Sequence, residues 1–392
     1  MQGTRHAHAL MIRFIPTHRP AIGEQELAAV GRVFESRWLG PGEETRAFEE
    51  ALRAYLGAAH VVAVGSGTAA LHLALEALDL PAGTGVLVPS LTFVASVQAI
   101  VAARLTPVFC DVVAETLQLD LDDCAVRLHR AGQDGIIVGA IMPVHFGGAS
   151  CDIARLECFA AEHALAIVED AAHAFGSRRQ GRALGTVGVA GCYSFDPIKN
   201  ITCGEGGAVA TGCDTVAQRL RASRNLGISA DGWSRHTGAA GWSYTVESHG
   251  WRAHLPDMNA AIGLTQLSRF PQLLARRQAI VSRYDDALAS LGSLTPVTRP
   301  DPDVCPFTYT VRVHDGRRDD LMSWLRERGI GTSVEYIPNH LQPAFAAFRT
   351  PLPATEQVFT EILSLPLHPE LLDADLDLVL DAVSQFQAAL VS

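Results

Sequence analysis

Long apolar runs are missing from the 392-residue sequence, although 48% of its residues are hydrophobic. The most apolar stretch, residues 86–103, is interrupted by a proline and by polar side chains, and so falls short of the about 20 apolar residues that span a bilayer. The first 14 residues, MQGTRHAHALMIRF, contain neither a long apolar core nor a small-residue cleavage site. We therefore expect no membrane insertion, and we predict that residues 1–14 form a disordered extension.

Closely spaced cysteine pairs are also missing. The eight cysteines stand at positions 110, 124, 151, 158, 192, 203, 213 and 305, with no CxxC pair. No His/Cys cluster has the spacing of a zinc site, so no metal site is expected. Scattered cysteines of this kind fit reduced thiols, and a cytoplasmic location is predicted.

An excess of positive charge is missing as well, since the formal net charge is −11. Nucleic acids and anionic membranes would not be attracted to such a surface at long range, so neither is expected as a partner. A small anionic substrate would need a local cationic pocket.

Short β-rich runs alternate with helical patterns between residues 60 and 211, which predicts a three-layer α/β/α domain around a mostly parallel sheet. Such sheets bind ligands at the carboxyl ends of their strands. The strand candidates are residues 60–64, 86–88, 107–112, 136–144, 166–169, 191–195 and 207–210; helical patterns include 68–78, 92–103 and 153–163.

The pattern changes after residue 228. Residues 228–255 are rich in Gly, Ser, Trp and His and are expected to form a long functional loop. Residues 257–291 predict two helices, and a smaller C-terminal α/β domain should follow with strands 307–313 and 332–336, a helix at 318–328 and a closing helix from about Asp373. We therefore expect a large domain over residues 15–255, with connecting helices and the small domain over 256–392.

Asp170 ends a predicted buried strand, where it would face the ligand crevice at the sheet edge. A carboxylate there can pair with a protonated pyridine nitrogen, although capping a following helix is an equally simple role for it. Glu169 points to the opposite face of the strand and is given a structural role.

Lys199 lies in a turn between two predicted strands, in the segment CYSFDPIKN. A lysine in a turn is usually solvated. The small and apolar residues around this one favour burial, which lowers the pKa of an amine and keeps it neutral, as a lysine that forms a Schiff base requires.

Gly67, Thr68 and Ser194 are candidates for a phosphate cradle. The run VGSGTAA (64–70) predicts a strand, a small-residue turn and the first turn of a helix, whose free N–H groups can bind phosphate. Any tight strand-to-helix turn can have this pattern. The third glycine of a dinucleotide fingerprint and a Walker lysine are both absent, which disfavours a nicotinamide-dependent dehydrogenase.

Phe93 follows another strand and can lay its ring against a planar cofactor, and His173 can cover the second ring face or bond a phenolic oxygen. A core aromatic and a structural histidine are the alternative interpretations.

With these residues assembled, the chain resembles the DegT/DnrJ-type sugar aminotransferases, which are pyridoxal 5′-phosphate (PLP) enzymes of fold type I, the aspartate aminotransferase fold. The resemblance runs from about Ile15 to the C-terminus. It rests on GSGTAAL (65–71), PSLTFVA (89–95), PVHFGG (143–148), EDAAH (169–173) and SFDPIKN (194–200).

The resemblance implies a role for each candidate. Lys199 would be the Schiff-base lysine and proton shuttle, and Asp170 the pyridinium partner. Phe93 and His173 would contact the ring, with Gly67, Thr68 and Ser194 on the phosphate. It also implies a homodimer with shared active sites, glutamate as amino donor and a nucleotide-linked keto-sugar, typically a 4-keto-6-deoxyhexose, as acceptor. Relatives with histidine in place of the lysine are dehydratases, so the lysine favours amino transfer.

Two segments depart from the family pattern. GWRAHLPD (250–257) has Arg252 where an asparagine commonly reaches the partner's cofactor phosphate, and GTSVEY (331–336) has Glu335 where a histidine is common. Arg252 can still bind phosphate. Trp38 and His340 are candidates for substrate contacts, with packing as the alternative for each. An aminotransferase acting on a cyclitol ketone, a PLP-dependent sugar dehydratase and a non-catalytic PLP-binding regulator remain alternative functions.

Overall fold

A seven-stranded sheet forms the centre of the computed structural model, which describes residues 14–228, 233, 237, 243–289, 291–300 and 303–391. The strands are β1 (His60–Val64), β2 (Gly85–Pro89), β3 (Thr106–Cys110), β4 (Val138–Ile141), β5 (Ala166–Asp170), β8 (Ala190–Ser194) and β9 (Gly207–Thr211), and a separate small hairpin is formed by β6 (Arg178–Arg179) and β7 (Arg182–Ala183). The strand order in the sheet is β1–β9–β8–β5–β4–β2–β3. In this described sheet β9 runs antiparallel to both of its neighbours, and the other pairs are parallel.

Helices cover both faces of this sheet. Alternate residues of a strand point to opposite faces, and in β1 Val61 and Ala63 enter one hydrophobic core while Val62 and Val64 enter another. The predicted three-layer architecture is therefore confirmed. The helices are α1 (Glu24–Ser36), α2 (Glu43–Leu56), α3 (Gly67–Ala77), α4 (Val94–Ala102), α5 (Leu121–Gln133), α6 (Ile153–Glu162), α7 (Asp214–Ser223), α8 (Asp257–Leu288), α9 (Arg318–Glu327), α10 (Pro353–Glu361) and α11 (Asp373–Val391).

Helix α8 is continuous over 32 residues, so the prediction of two helices between residues 257 and 291 was wrong. Pro271 lies inside it and removes one backbone hydrogen bond. The helix persists because both halves are buried: Ala260 and Phe270 pack in the core of the central sheet, and Ile280 and Tyr284 pack in a separate C-terminal core. Tertiary packing outweighs the local penalty.

The C-terminal unit is an antiparallel sheet of β10 (Leu294–Pro296), β11 (Tyr309–Val313) and β12 (Ile362–Leu365), covered by α9 and α11. The strand predicted at residues 332–336 is not formed. Only Ser333 makes a bridge, to Ser364, because the fully buried residues of β12 occupy the place beside β11. Ile15 also packs into this core and bridges Ile330.

Of the predicted extension, residues 1–14, only Phe14 belongs to the described residues. Residues 229–232, 234–236 and 238–242 of the loop predicted over 228–255 also lie outside them, and the domain division at residue 255 stays a prediction. None of the described helices has the length and apolar composition needed to cross a bilayer.

Candidate active site

The cavity of interest opens at the carboxyl edge of the central sheet and has a volume of about 410 Å³. It lies where β5 and β8 end and where α3 begins, the position at which open α/β sheets bind ligands. Seven of the sequence-predicted cofactor residues line it: Gly67, Thr68, Phe93, Asp170, His173, Ser194 and Lys199. Residues far apart in the chain therefore meet in one cavity.

Asp170 is the last residue of β5 and is buried. Its carboxylate accepts a hydrogen bond of 2.6 Å from the Ser96 hydroxyl and one of 3.1 Å from the Ala172 N–H. Burial raises the pKa of Asp170, and these two bonds and the charge of Lys199 act against that rise. A turn rather than a helix follows the strand, so Asp170 is not a helix cap here.

Glu169 points away from the cavity, as predicted from its place in the strand. Its carboxylate bonds the His145 imidazole at 2.9 Å and accepts the N–H groups of Gly185, Val187 and Gly188. Although burial alone would raise it, the pKa of Glu169 is lowered, because His145 and these N–H groups favour the charged form. Two adjacent carboxylates thus lie in different electrostatic environments.

Lys199 lies in the turn after β8, with its Nζ 4.3 Å from the centre of the Phe307 ring. Burial lowers the pKa of its amine, against the opposing effects of Asp196, Asp170 and Glu335. The amine is thus poised toward its neutral, nucleophilic form. Lys199 is also the only lysine in the sequence, a signal that sequence reasoning overlooked and that leaves no other lysine for covalent cofactor binding.

Gly67 and Ser194, two of the residues predicted for a phosphate cradle, lie against each other at the cavity wall. A Cβ on Gly67 would lie 2.7 Å from the Ser194 Cβ, so only glycine brings the first turn of α3 this close to β8. Ser66 accepts the N–H groups of Ala69 and Ala70. The N–H groups of Gly67 and Thr68 precede them at the cavity wall, where a helix N-terminus attracts anions.

Aromatic side chains contact His173, which lines the cavity. His173 stacks on Phe307 at 4.2 Å between ring centres, and its Nε2 lies 2.9 Å from the Tyr336 hydroxyl. The pKa of His173 is well below its usual value because of burial, so the imidazole is neutral. Phe93 is 53% exposed and 5.5 Å from Tyr336, which excludes a role as a core aromatic.

Three predicted residues are not brought into this cavity. Arg252 is exposed on a segment that bridges Asn225. The Trp38 indole donates to the Pro41 carbonyl at 3.1 Å. His340 is buried, with Nδ1 2.7 Å from the Ser90 hydroxyl and Nε2 3.2 Å from Glu356. These contacts give His340 a packing role, which was the alternative to a substrate contact.

Other residues at the site carried no usable sequence signal. Phe307 and Tyr336, which we call the aromatic layer, come from the C-terminal part of the chain, more than 100 residues after Lys199. Ser96 is one turn into α4, and only its bond to Asp170 shows its role. Asp196, in the lysine segment, and Glu205, five residues beyond it, also line the cavity, and their charge was the one available clue.

Comparison with known proteins identifies the family. The model of the DegT/DnrJ/EryC1/StrS aminotransferase family matches residues 20–384. The spore coat polysaccharide biosynthesis protein SpsC of Bacillus subtilis (strain 168) is 36% identical over 380 residues, which are 94% of this chain and 96% of that protein.

Solved structures extend the likeness. The aminotransferase TlmJ from Streptoalloteichus hindustanus has a TM-score of 0.89 and 35% identity, covering 96% of this chain and 100% of that one. The PLP-form of the putative sugar aminotransferase Spr1654 from Streptococcus pneumoniae has a TM-score of 0.87 and 28% identity, covering 97% of this chain and 100% of that one. The chain therefore belongs to the DegT/DnrJ/EryC1/StrS family and is a sugar aminotransferase.

Proposed function

We propose that this enzyme binds PLP at Lys199 and transfers the amino group of L-glutamate to a nucleotide-linked keto-sugar of the 4-keto-6-deoxyhexose type. The observation that carries the proposal is the convergence of the only lysine, a buried carboxylate and a helix N-terminus on one cavity. These are the three groups that PLP requires for its aldehyde, its ring nitrogen and its phosphate.

The residues present fit this cofactor. Burial of Asp170 disfavours an isolated carboxylate, and a cationic ring nitrogen beside it would compensate that cost. The close approach of Gly67 and Ser194 leaves main-chain N–H groups and a hydroxyl for the phosphate. Phe93 presents an exposed ring to the cavity, and stacking on a planar ligand would cover it.

Each side chain then has a defined task. Lys199 would hold the cofactor and, after the donor amine displaces it, move a proton from the donor Cα. Its lowered pKa suits this, since a neutral amine is both nucleophile and base. The bound cofactor supplies a ring that draws in the electron pair left at Cα. Asp170 keeps the ring nitrogen protonated, and neutral His173 adds no charge beside it.

The proposed acceptor and the proposed homodimer are inferred from the relatives. SpsC is named for polysaccharide biosynthesis and Spr1654 as a putative sugar aminotransferase, which supports an activated sugar as acceptor. We extend the family's homodimer with shared active sites to this chain, and propose that exposed Arg252 binds the partner's cofactor phosphate. A cytoplasmic location, where nucleotide sugars are made and used, completes the proposal.

An absorption spectrum of the purified protein before and after adding glutamate tests the cofactor and the donor. We expect a band of lysine-bound PLP that shifts to that of the amine form, followed by its return when a nucleotide-linked 4-keto-6-deoxyhexose is added. Ping-pong kinetics should accompany it. A protein that binds no PLP would contradict the proposal; return with a cyclitol ketone only, or deoxygenation of the sugar, would assign one of the alternative reactions.

A further inference from the structure

Glu335 is a buried carboxylate at the edge of the active site. It lies in the segment after α9 and is 6% exposed. Its Oε1 accepts a hydrogen bond of 2.5 Å from the Ser333 hydroxyl, and its Oε2 accepts one from Ser364. The His18 Nε2 lies 3.4 Å from the same Oε1. These partners hold the pKa of Glu335 below its usual value even though burial opposes this, so the group is charged at neutral pH.

His18 connects this carboxylate to the aromatic layer. Its ring stacks on Phe307 at 5.4 Å with an interplanar angle of 5°. Phe307 in turn stacks on His173 and lies 4.3 Å from the Lys199 Nζ. A continuous path of contacts therefore runs from Glu335 through two rings to the lysine amine.

A second path runs along the backbone. Tyr336 directly follows Glu335, and its hydroxyl bonds the His173 imidazole at 2.9 Å. Anchoring the Glu335 side chain between Ser333 and Ser364 therefore also places the Tyr336 ring. Both members of the aromatic layer are thus linked to the same carboxylate, Phe307 through His18 and Tyr336 through the backbone.

We propose that Glu335 is a positioning residue that acts on Lys199 through its charge and through the His18 and Phe307 rings. The pair of Glu335 with His18 joins the segment after α9 to the residues that precede α1. The proposal rests on the assignment of Lys199 as the cofactor lysine, because the protonation of its amine then affects the reaction.

Ionisable groups from several elements surround the Lys199 amine. The groups that face it are Asp196 from its own turn, Asp170 from β5, Glu335 from the segment before β12, and His173, with Glu205 elsewhere on the cavity wall. The three aspartate and glutamate neighbours Asp196, Asp170 and Glu335 favour the ammonium form and counteract the effect of burial on the pKa of Lys199. Glu335 is the member of this set that the C-terminal part of the chain contributes.

The test measures the amine itself in cofactor-free protein. Because Lys199 is the only lysine, reductive methylation with formaldehyde and borohydride reports on this side chain, and mass spectrometry separates it from the N-terminal amine. We expect the midpoint of the labelling curve to move to lower pH in Glu335→Gln, which keeps the side-chain shape and can still bond Ser333 and Ser364. The matched control is Glu50→Gln, the same change at an exposed carboxylate on α2.

An exchange of the pair separates charge from packing. Glu335→His alone should shift the midpoint toward low pH about as far as Glu335→Gln, since an imidazole that is neutral where the amine titrates also removes the negative charge of the carboxylate. His18→Glu combined with Glu335→His should move it back toward the wild-type value. Unchanged curves in both single variants, with circular dichroism showing folded protein, would overturn the proposal, and an exchange that restores nothing would overturn the pairing. Neither result depends on PLP binding, so failure of the proposed function is seen separately in the spectrum.

Discussion

The sheet edge lines the cavity, and the aromatic layer contacts Lys199 and His173 of that lining, but the two differ in how their residues are positioned. At the sheet edge, Asp170 ends a strand and Lys199 follows the neighbouring strand in a tight turn, so the backbone of the sheet places both residues. Phe307 and Tyr336 instead lie outside regular strands and contact side chains from distant segments, among them His18 and His173.

This difference predicts that the sheet edge and the aromatic layer respond differently to substitution. A strand end fixes a side chain within a rigid sheet, which suits groups that must contact reacting atoms. Irregular segments tolerate substitution, and both departures from the family pattern, Arg252 and Glu335, lie in such segments. We therefore expect variants of the sheet edge to abolish the reaction and variants of the aromatic layer to modulate it.

The largest effect is expected for Lys199→Ala. Without its amine the protein has no other lysine to hold the cofactor or move the proton, so turnover should fall by roughly 10³-fold or more. Steady-state rates and the absorption spectrum measure this. Lys199→Arg, which retains the positive charge, should be equally inactive; a near wild-type rate in either variant would contradict the assignment.

A pair of adjacent carboxylates gives the second test. Asp170→Asn keeps partners for Ser96 and Ala172 but removes the charge, and should weaken PLP retention and lower turnover by roughly 10²-fold. Glu169→Gln should retain PLP but lower the free energy of unfolding by roughly 2–4 kcal/mol, because it removes the charge that its N–H donors and His145 stabilise. Urea unfolding and cofactor titration distinguish the two variants. Loss of PLP in Glu169→Gln together with loss of stability alone in Asp170→Asn would contradict the roles given to the two carboxylates.

Gly67→Ala should be milder. The added Cβ would meet Ser194 at 2.7 Å, so the first turn of α3 must shift away from β8, weakening PLP affinity by roughly 1–3 kcal/mol. Fluorescence titration of cofactor-free protein with PLP measures this. Gly212→Ala is a matched control, since no atom lies within 4 Å of its Cβ position. Equal affinities in the two variants would rule out the cradle.

Tyr336→Phe tests the aromatic layer. The change keeps the ring beside Phe93 and removes the hydroxyl that bonds His173. The loss of one hydrogen bond to a neutral partner corresponds to about 1 kcal/mol, so kcat should fall only several-fold. A loss as large as that of Lys199→Ala would show that the hydroxyl takes part in the chemistry, which would break the contrast between the two sides.

The smallest effect concerns the stability of the C-terminal unit. Burial and the charge of Arg277 lower the pKa of His368 to about 4 from the usual 6.5 of histidine. Between these values the unfolded chain binds more protons than the folded one, so the stability that neutral His368 contributes is present above pH 6.5 and is lost as the pH falls toward 4. His368→Gln should flatten this decline in urea unfolding, whereas surface His314→Gln should not. An unchanged pH profile would exclude His368 as its source.

Much of the sheet edge could be predicted because its signals are local. Strand β1 has the predicted bounds, and Gly67, Asp170, Ser194 and Lys199 line one cavity as expected. The strand predicted at 332–336 is not formed. Its apolar and β-branched residues favour a strand but do not show which segment pairs with β11, and β12 takes that position. The prediction of a break within α8 was wrong for a similar reason, since the sequence does not show that both halves of the helix are buried.

The sequence by itself determined the fold class, the family and the lysine, because alternating periodicity, ordered motifs and a single Lys199 are all properties of the chain read in one direction. Only the tertiary structure decided that His340 is packed against Ser90 and Glu356, that Ser96 supports Asp170, and that Glu335 joins His18 beneath the aromatic layer. These contacts join residues 16 to 317 positions apart, and such distances are set by how layers pack and not by any local pattern.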